Sequence, residues 1–185
     1  MALKARRMYP DFKELLSVLN AEGVRYLIVG GYAVSFYSEP RATKDLDLLV
    51  EPTPENADAI FPALARFGAP LEGLTRESFL EPDSFFRMDH PPYMVDLLPQ
   101  IPGVDFEAAL ARRVCAKIDG SPSFEAPFIS ACDLLVAKEV AGRPQDLADA
   151  PALRAAETAR DESAKASDSL RERGRDIGSD KGRDR

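Results

Sequence analysis

Apolar positions recur along this chain with two different periods. In YPDFKELLSVLNAEG (9–23), Phe12, Leu15, Leu16 and Leu19 fall on one face of a 3.6-residue repeat. Pro10 suits a first turn and Gly23 suits the stop, so the spacing predicts a helix. RYLIV (25–29) is a short apolar run that predicts a buried strand; Gly30 and Gly31 break it. YAVSFYS (32–38) predicts a short helix that Pro40 stops, and KDLDLLV (44–50) predicts a second strand. TPENADAIFPALARFG (53–68) predicts a second long helix, with Thr53 as N-cap, Pro54 at its first position and Pro62 as a place for a kink. Residues 68–83 read as loop. SFFRMD (84–89) and YMVDLLP (93–99) predict a strand pair joined through HPP. DFEAALARR (105–113) is helical in pattern, and VCAKIDG and FEAPFI predict two more strands. Ser130 caps ACDLLVAKEVAG, and PQDLADAPALRAAE (144–157) predicts a final helix.

Strands and helices alternate early, and later strands pair as hairpins. The expected fold is therefore α/β (α+β): a mixed sheet with helices packed on it, the last two helices closing one side of a cleft. From about residue 158 large apolar residues nearly vanish and charge of both signs dominates. The expected organisation is one domain over residues 1–157 and a charged tail over 158–185. That tail is expected to be disordered or partly helical at its start, a basic binding tail being the sharper alternative.

Composition narrows the classes. Of 185 residues, 45% are hydrophobic, ordinary for a globular core, and no apolar run approaches the ~20 residues of a membrane helix, so no membrane partner is expected. MALKARRMYP lacks an apolar stretch after its basic residues, so a secretory leader is not expected. Cys115 and Cys132 give neither a disulfide framework nor a zinc pattern; both read as small buried apolar residues, and a cytoplasmic setting is the default. The net charge is −7. Residues 152–185 carry 9 Lys+Arg against 8 Asp+Glu, leaving 15 against 23 on the body. An acidic body argues against broad nucleic-acid binding, yet leaves room for an anionic substrate held by metal ions and a few basic side chains.

Three places carry candidate chemistry. In RATKDLDLLV (41–50), period-2 alternation puts Arg41, Thr43, Asp45 and Asp47 on one strand face, with Leu46, Leu48 and Val50 on the other. Two carboxylates so placed can converge on a divalent cation; alternatively they are the polar face of a half-exposed strand. Upstream, Gly30 and Gly31 stand between a strand and a helix, where glycine admits close backbone approach and helix N–H groups favour phosphate; a tight turn is the plain alternative. Downstream, Asp96 interrupts YMVDLL, as either a site acid or an edge residue. His90 reads as a loop residue. Lys44 has the parity opposite to Arg41 and points away from the acids. Arg143 reads as a structural partner of Asp146 or Asp149.

The order of these signals resembles the nucleotidyltransferase superfamily of the DNA polymerase beta type. Its signature appears as Val29-Gly30-Gly31, thirteen intervening residues, Asp45-Leu46-Asp47-Leu48, and later Asp96. R-x-T-x-D-x-D and the C-terminal ISACDLLVAKEVAGRPQDLADAPAL are similar to abortive-infection toxins of the AbiEii-like type. The resemblance covers roughly residues 10–155. It implies that Gly30 and Gly31 cradle the triphosphate of an NTP substrate, with Arg41, Thr43 and Lys138 as further nucleotide-binding residues. It implies that Asp45 and Asp47 bind Mg²⁺, and that Asp96 binds a second ion and helps deprotonate an acceptor hydroxyl. For Lys138 a structural ion pair is the alternative. The implied reaction moves a nucleoside monophosphate from an NTP to an acceptor (tRNA, protein or small molecule), in a toxin context with a cognate antitoxin. A non-catalytic nucleotide-binding or partner-binding module on the same fold is the other class of reading.

Overall fold

The computed structural model describes residues 8–38, 43–81, 84–90 and 93–179. A six-stranded mixed sheet runs through its centre in the order β3-β4-β2-β1-β6-β5. The strands are β1 (Tyr26–Val29), β2 (Asp45–Val50), β3 (Phe86–His90), β4 (Tyr93–Leu98), β5 (Val114–Ile118) and β6 (Phe124–Phe128). Helices α1 (Pro10–Ala21), α2 (Gly30–Tyr37), α3 (Pro54–Phe67), α4 (Phe106–Ala111), α5 (Ala131–Ala141) and α6 (Pro144–Ser179) connect and cover them. The mixed α/β class expected from the pattern is the one observed.

The central strands set the site. β1 runs antiparallel to β2, pairing Tyr26 with Val50 and Val29 with Asp47. β2 runs parallel to β4, pairing Asp45 with Met94, Asp47 with Asp96 and Leu49 with Leu98. β3 and β4 form the expected hairpin, with Arg87 opposite Asp96. All four β1 residues are buried, so helices cover both faces of the sheet's middle. Phe12, Leu15, Leu16 and Leu19 form the buried stripe of α1, as their spacing predicts.

Local chemistry explains the element ends. Thr53 accepts from the Asn56 N–H at the start of α3, Asp105 accepts from Ala108 at α4, and Ser130 accepts from Asp133 at α5. α3 continues through Pro62, whose ring faces outward. Within the segment read as loop, Arg76–Phe79 forms a 3-10 turn that buries Phe79. Two further readings are corrected. Cys115 and Cys132 are both free and exposed rather than buried. Cys115 lies on β5, a strand at the sheet edge whose outward positions face solvent. The last helix does not stop near Glu157: the backbone stays helical to Ser179, over a stretch rich in Ala, Glu, Lys and Arg, residues of high helix propensity. Among the described residues no helix is long and apolar enough to cross a membrane.

Asn56 ties the β1–β2 pair to α3. It is 3% exposed, and its side chain accepts from the Arg25 N–H and donates to the carbonyls of Arg25 and Glu51. Asn56→Ala leaves these backbone groups without that partner. We expect a loss of about 2–3 kcal/mol in urea unfolding, because unmet buried polar groups cost more than the bonds they replace.

Candidate active site

The site grows from the end of β1. The antiparallel register brings Asp47 level with Val29, so the two glycines that follow pass directly over its carboxylate. Gly30 has φ +59°, and a Cβ there would lie 1.9 Å from Asp47 Oδ2. A side chain at this position would therefore both strain the backbone and collide with the acid. A Cβ on Gly31 would lie 2.7 Å from Thr43 Oγ1, so the second glycine admits Thr43 instead. The Thr43 hydroxyl donates to the Asp45 carbonyl at 3.3 Å. The Gly31 N–H donates to the Asp47 carboxylate, a backbone donor at the first turn of α2.

Three acids share this face. Asp45 and Asp47 are half-buried and two residues apart on β2; Leu46 and Leu48 between and beyond them are fully buried on the other face. Asp96 is the direct neighbour of Asp47 on β4, about 4.8 Å away in the strand-to-strand direction. Burial and the nearby Asp96 carboxylate push the Asp47 pKa up, with a smaller push from Asp45; the Gly31 N–H and the Arg143 charge oppose them. Asp96 is 8% exposed and receives two parallel 2.7 Å bonds from Arg87, from Nε to Oδ1 and from Nη2 to Oδ2. This pair, with the charges of Asp45 and Asp47, raises the Arg87 pKa further.

The donor set suits a hard cation. Among the described residues no group of three or more His, Cys, Asp or Glu is gathered tightly enough to hold a metal unaided. Magnesium does not need one: it is usually held by one or two carboxylates and completed by substrate phosphates and water. Burial first, and then the neighbouring Asp96 and Asp45 carboxylates, hold the Asp47 pKa up; a cation between Asp45 and Asp47 would offset both.

α5 and the start of α6 close the other side. A cleft of about 110 Å³ runs beside Gly30 and Asp47, with Lys138 and Arg143 on its far wall. Lys138 is 7% exposed, and its ammonium pairs with Asp146 at 2.7 Å and Asp149 at 2.9 Å. The ion-pair alternative for Lys138 is thus realised, at a position that also lines the cleft. Arg143 pairs with Asp146 at 2.6 Å while its side chain remains 76% exposed. Burial raises the Asp146 pKa, but bonds from Lys138 and Arg143 outweigh it and hold the carboxyl below its ordinary range.

Of the residues named from sequence, Gly30, Gly31, Thr43, Asp45, Asp47 and Asp96 lie together, and Lys138 lies across the cleft. Arg41 lies outside the described residues. One basic residue escaped the sequence reading. Arg87 was not singled out, although counting back through the hairpin from HPP would have set it opposite Asp96. Arg143 makes the ion pair with Asp146 expected of it, and its charge also reaches Asp47.

Among solved structures, the lincosamide antibiotic adenylyltransferase LnuA, in a lincomycin-bound form, shares the overall fold of this chain with a TM-score of 0.50 and 15% sequence identity, over 80% of this chain and 96% of that one. At that identity the likeness is one of fold. The sequence matches no protein-family model and no curated protein.

Two outcomes are expected from the charges. The folded state holds the Asp47 proton more tightly than the unfolded chain, so its contribution to stability falls as pH rises through the raised pKa. In metal-free buffer at pH 7, Asp47→Asn should therefore melt above the parent, with the gap closing as pH falls below the ordinary Asp range. Added Mg²⁺ should raise the parent's melting temperature and leave that of the Asn variant unmoved. Lys138→Met removes the ammonium that two buried carboxylates share and should cost about 3–5 kcal/mol in urea unfolding. Adding Asp146→Asn and Asp149→Asn should recover most of that loss.

Proposed function

We propose that the chain is a Mg²⁺-dependent nucleotidyltransferase that moves a nucleoside monophosphate from an NTP to an acceptor hydroxyl and releases pyrophosphate. The observation that carries this reading is the direct pairing of Asp47 with Asp96 on parallel strands, with Asp45 one pleat away and Gly30-Gly31 crossing above. Asp45 and Asp47 would hold the metal, which when bound supplies charge neutralisation at the triphosphate. The first turn of α2 at Gly30-Gly31 would offer backbone N–H groups to phosphate oxygens, Thr43 packs against that turn, and Arg41 and Arg143 would add positive charge. Lys138 acts by fixing α6 against α5 at the cleft wall. Asp96 takes the acceptor proton: Arg87 occupies one lone pair on each of its oxygens and leaves others able to accept. A second ion at Asp96 follows from the sequence resemblance, as do the toxin role and its antitoxin. LnuA, named for adenylyl transfer to an antibiotic, supports a small-molecule acceptor on this fold.

One observation favours a second reading. With Asp96 clamped by Arg87, the acids are quiet enough for a nucleotide-binding module without turnover. The two readings separate in one assay. The chain is incubated with each α-labelled NTP and Mg²⁺, with small hydroxylated acceptors, total tRNA and protein. Transfer of label that falls at least about a hundredfold in Asp47→Ala is expected for the enzyme. Saturable nucleotide binding with no transfer under any condition means the module.

A further inference from the structure

Beside the acid cleft lies a second hollow that no step above uses. It is an open trough of about 670 Å³, formed by Ser84–Phe85 and by the segment from Leu98 to Asp105. It shares Leu98, Ile101 and Pro102 with the cleft beside Asp47, so the two are adjacent. Leu98 stands two residues beyond Asp96 on β4, on the same face, a step of about 7 Å along the strand. The trough thus lies along the face of β4 that carries Asp96, at its Leu98 end, and a molecule seated there would approach that acid along the strand.

The lining selects a chemical class. Phe85 is 56% exposed, although its neighbour Phe86 is in the core. Phe85 and Arg87 have the same parity, and the Arg87 guanidinium lies 5.4 Å from the Phe85 ring centroid. The same guanidinium grips Asp96, so the exposed ring and the acid are held by one side chain. Among the described lining residues the only charged one is Asp105, and none is basic. A polynucleotide or other phosphate-bearing acceptor would need cations here. The volume falls within the ~300–1,000 Å³ range of small-molecule sites.

Resting on the nucleotidyltransferase reading, we propose that this trough is the acceptor site, and that the acceptor is a small, neutral or cationic hydroxylated molecule with an apolar face that stacks on Phe85. Its hydroxyl oxygen bonds to the α-phosphorus of the NTP. The bond from that phosphorus to the oxygen bridging to the β-phosphorus breaks, and its electron pair leaves with pyrophosphate. The hydroxyl proton passes to Asp96 and then to water.

The test uses the full chain with Mg²⁺. Calorimetry with ATP, CTP, GTP and UTP first measures nucleotide binding. Transfer from the labelled nucleotide that binds is then followed to lincomycin, kanamycin, chloramphenicol, glucose 6-phosphate and total tRNA. The expected result is label on at least one neutral or cationic compound and none on glucose 6-phosphate or tRNA. Phe85→Ala should raise the KM for that compound about tenfold, the equivalent of a lost aromatic face, without weakening nucleotide binding. Asp105→Asn, which keeps an oxygen to cap α4, should raise KM for a cationic acceptor and not for a neutral one. Label on tRNA or glucose 6-phosphate, label on none of the five, or a KM indifferent to Phe85→Ala overturns the acceptor proposal while nucleotide binding still stands. Absence of nucleotide binding overturns the enzymatic reading beneath it.

Discussion

Two carboxylates held side by side on adjacent parallel strands are the constraint that the rest of this structure serves. Strand pairing fixes Asp47 and Asp96 as direct neighbours, and neither can move away without breaking the ladder between β2 and β4. Like charges at that spacing repel, and partial burial removes the water that would screen them. The surroundings answer with donors from three directions. The Gly31 N–H meets Asp47, Arg87 grips Asp96 with two bonds, and Arg143 lends charge from across the cleft. The compensation is incomplete at Asp47, whose pKa stays raised. A site that is fully neutral without its ligand has little left to offer a cation; this one keeps a remainder.

The diglycine follows from the same constraint. Gly30 is required by two conditions at once, a left-handed φ and an approach to Asp47 that no Cβ could share. The turn brings backbone N–H groups to the acids and at the same time opens α2 toward the cleft. Opposite it, the Lys138–Asp146–Asp149 cluster holds α6 to α5. A buried ion cluster adds little net stability over an apolar replacement, because desolvation cancels most of the attraction. Its effect is geometric: the three charges accept one mutual arrangement, and that arrangement sets the cleft wall on which Arg143 stands.

How much of this was legible depends on the range of the physics involved. The D-x-D face was legible because strand parity is local: Asp45 and Asp47 must point one way if Leu46 and Leu48 point the other. Caps at Thr53 and Ser130 were legible for the same reason. The adjacency of Asp96 to Asp47 came from family resemblance rather than from periodicity, since a parallel pairing across 49 residues of chain leaves no local mark. Arg87 lay between these cases: hairpin arithmetic reaches it, but only once the turn at HPP is trusted. Lys138 and its aspartates could be read either as ligand or as ion pair because both use the same residues; only the α5–α6 packing decides which partner is in reach. Cys115 was misread because the position of a strand at the sheet edge, and so the exposure of its outer face, is a property of topology.

The Arg87–Asp96 pair links these strands of argument. A bidentate arginine fixes the plane of a carboxylate and leaves its remaining lone pairs directed away from the guanidinium. Asp96 stands on β4 between the acids of β2 and Arg87 on β3. The same arginine also sets the Phe85 ring at the trough's edge. One side chain thus holds both a buried acid and an exposed aromatic ring. Displacing it would loosen both together. A lysine could supply the charge but not the plane, because an ammonium offers no paired N–H edge and no flat face. The geometry, more than the charge, is what this arginine brings to Asp96 and Phe85.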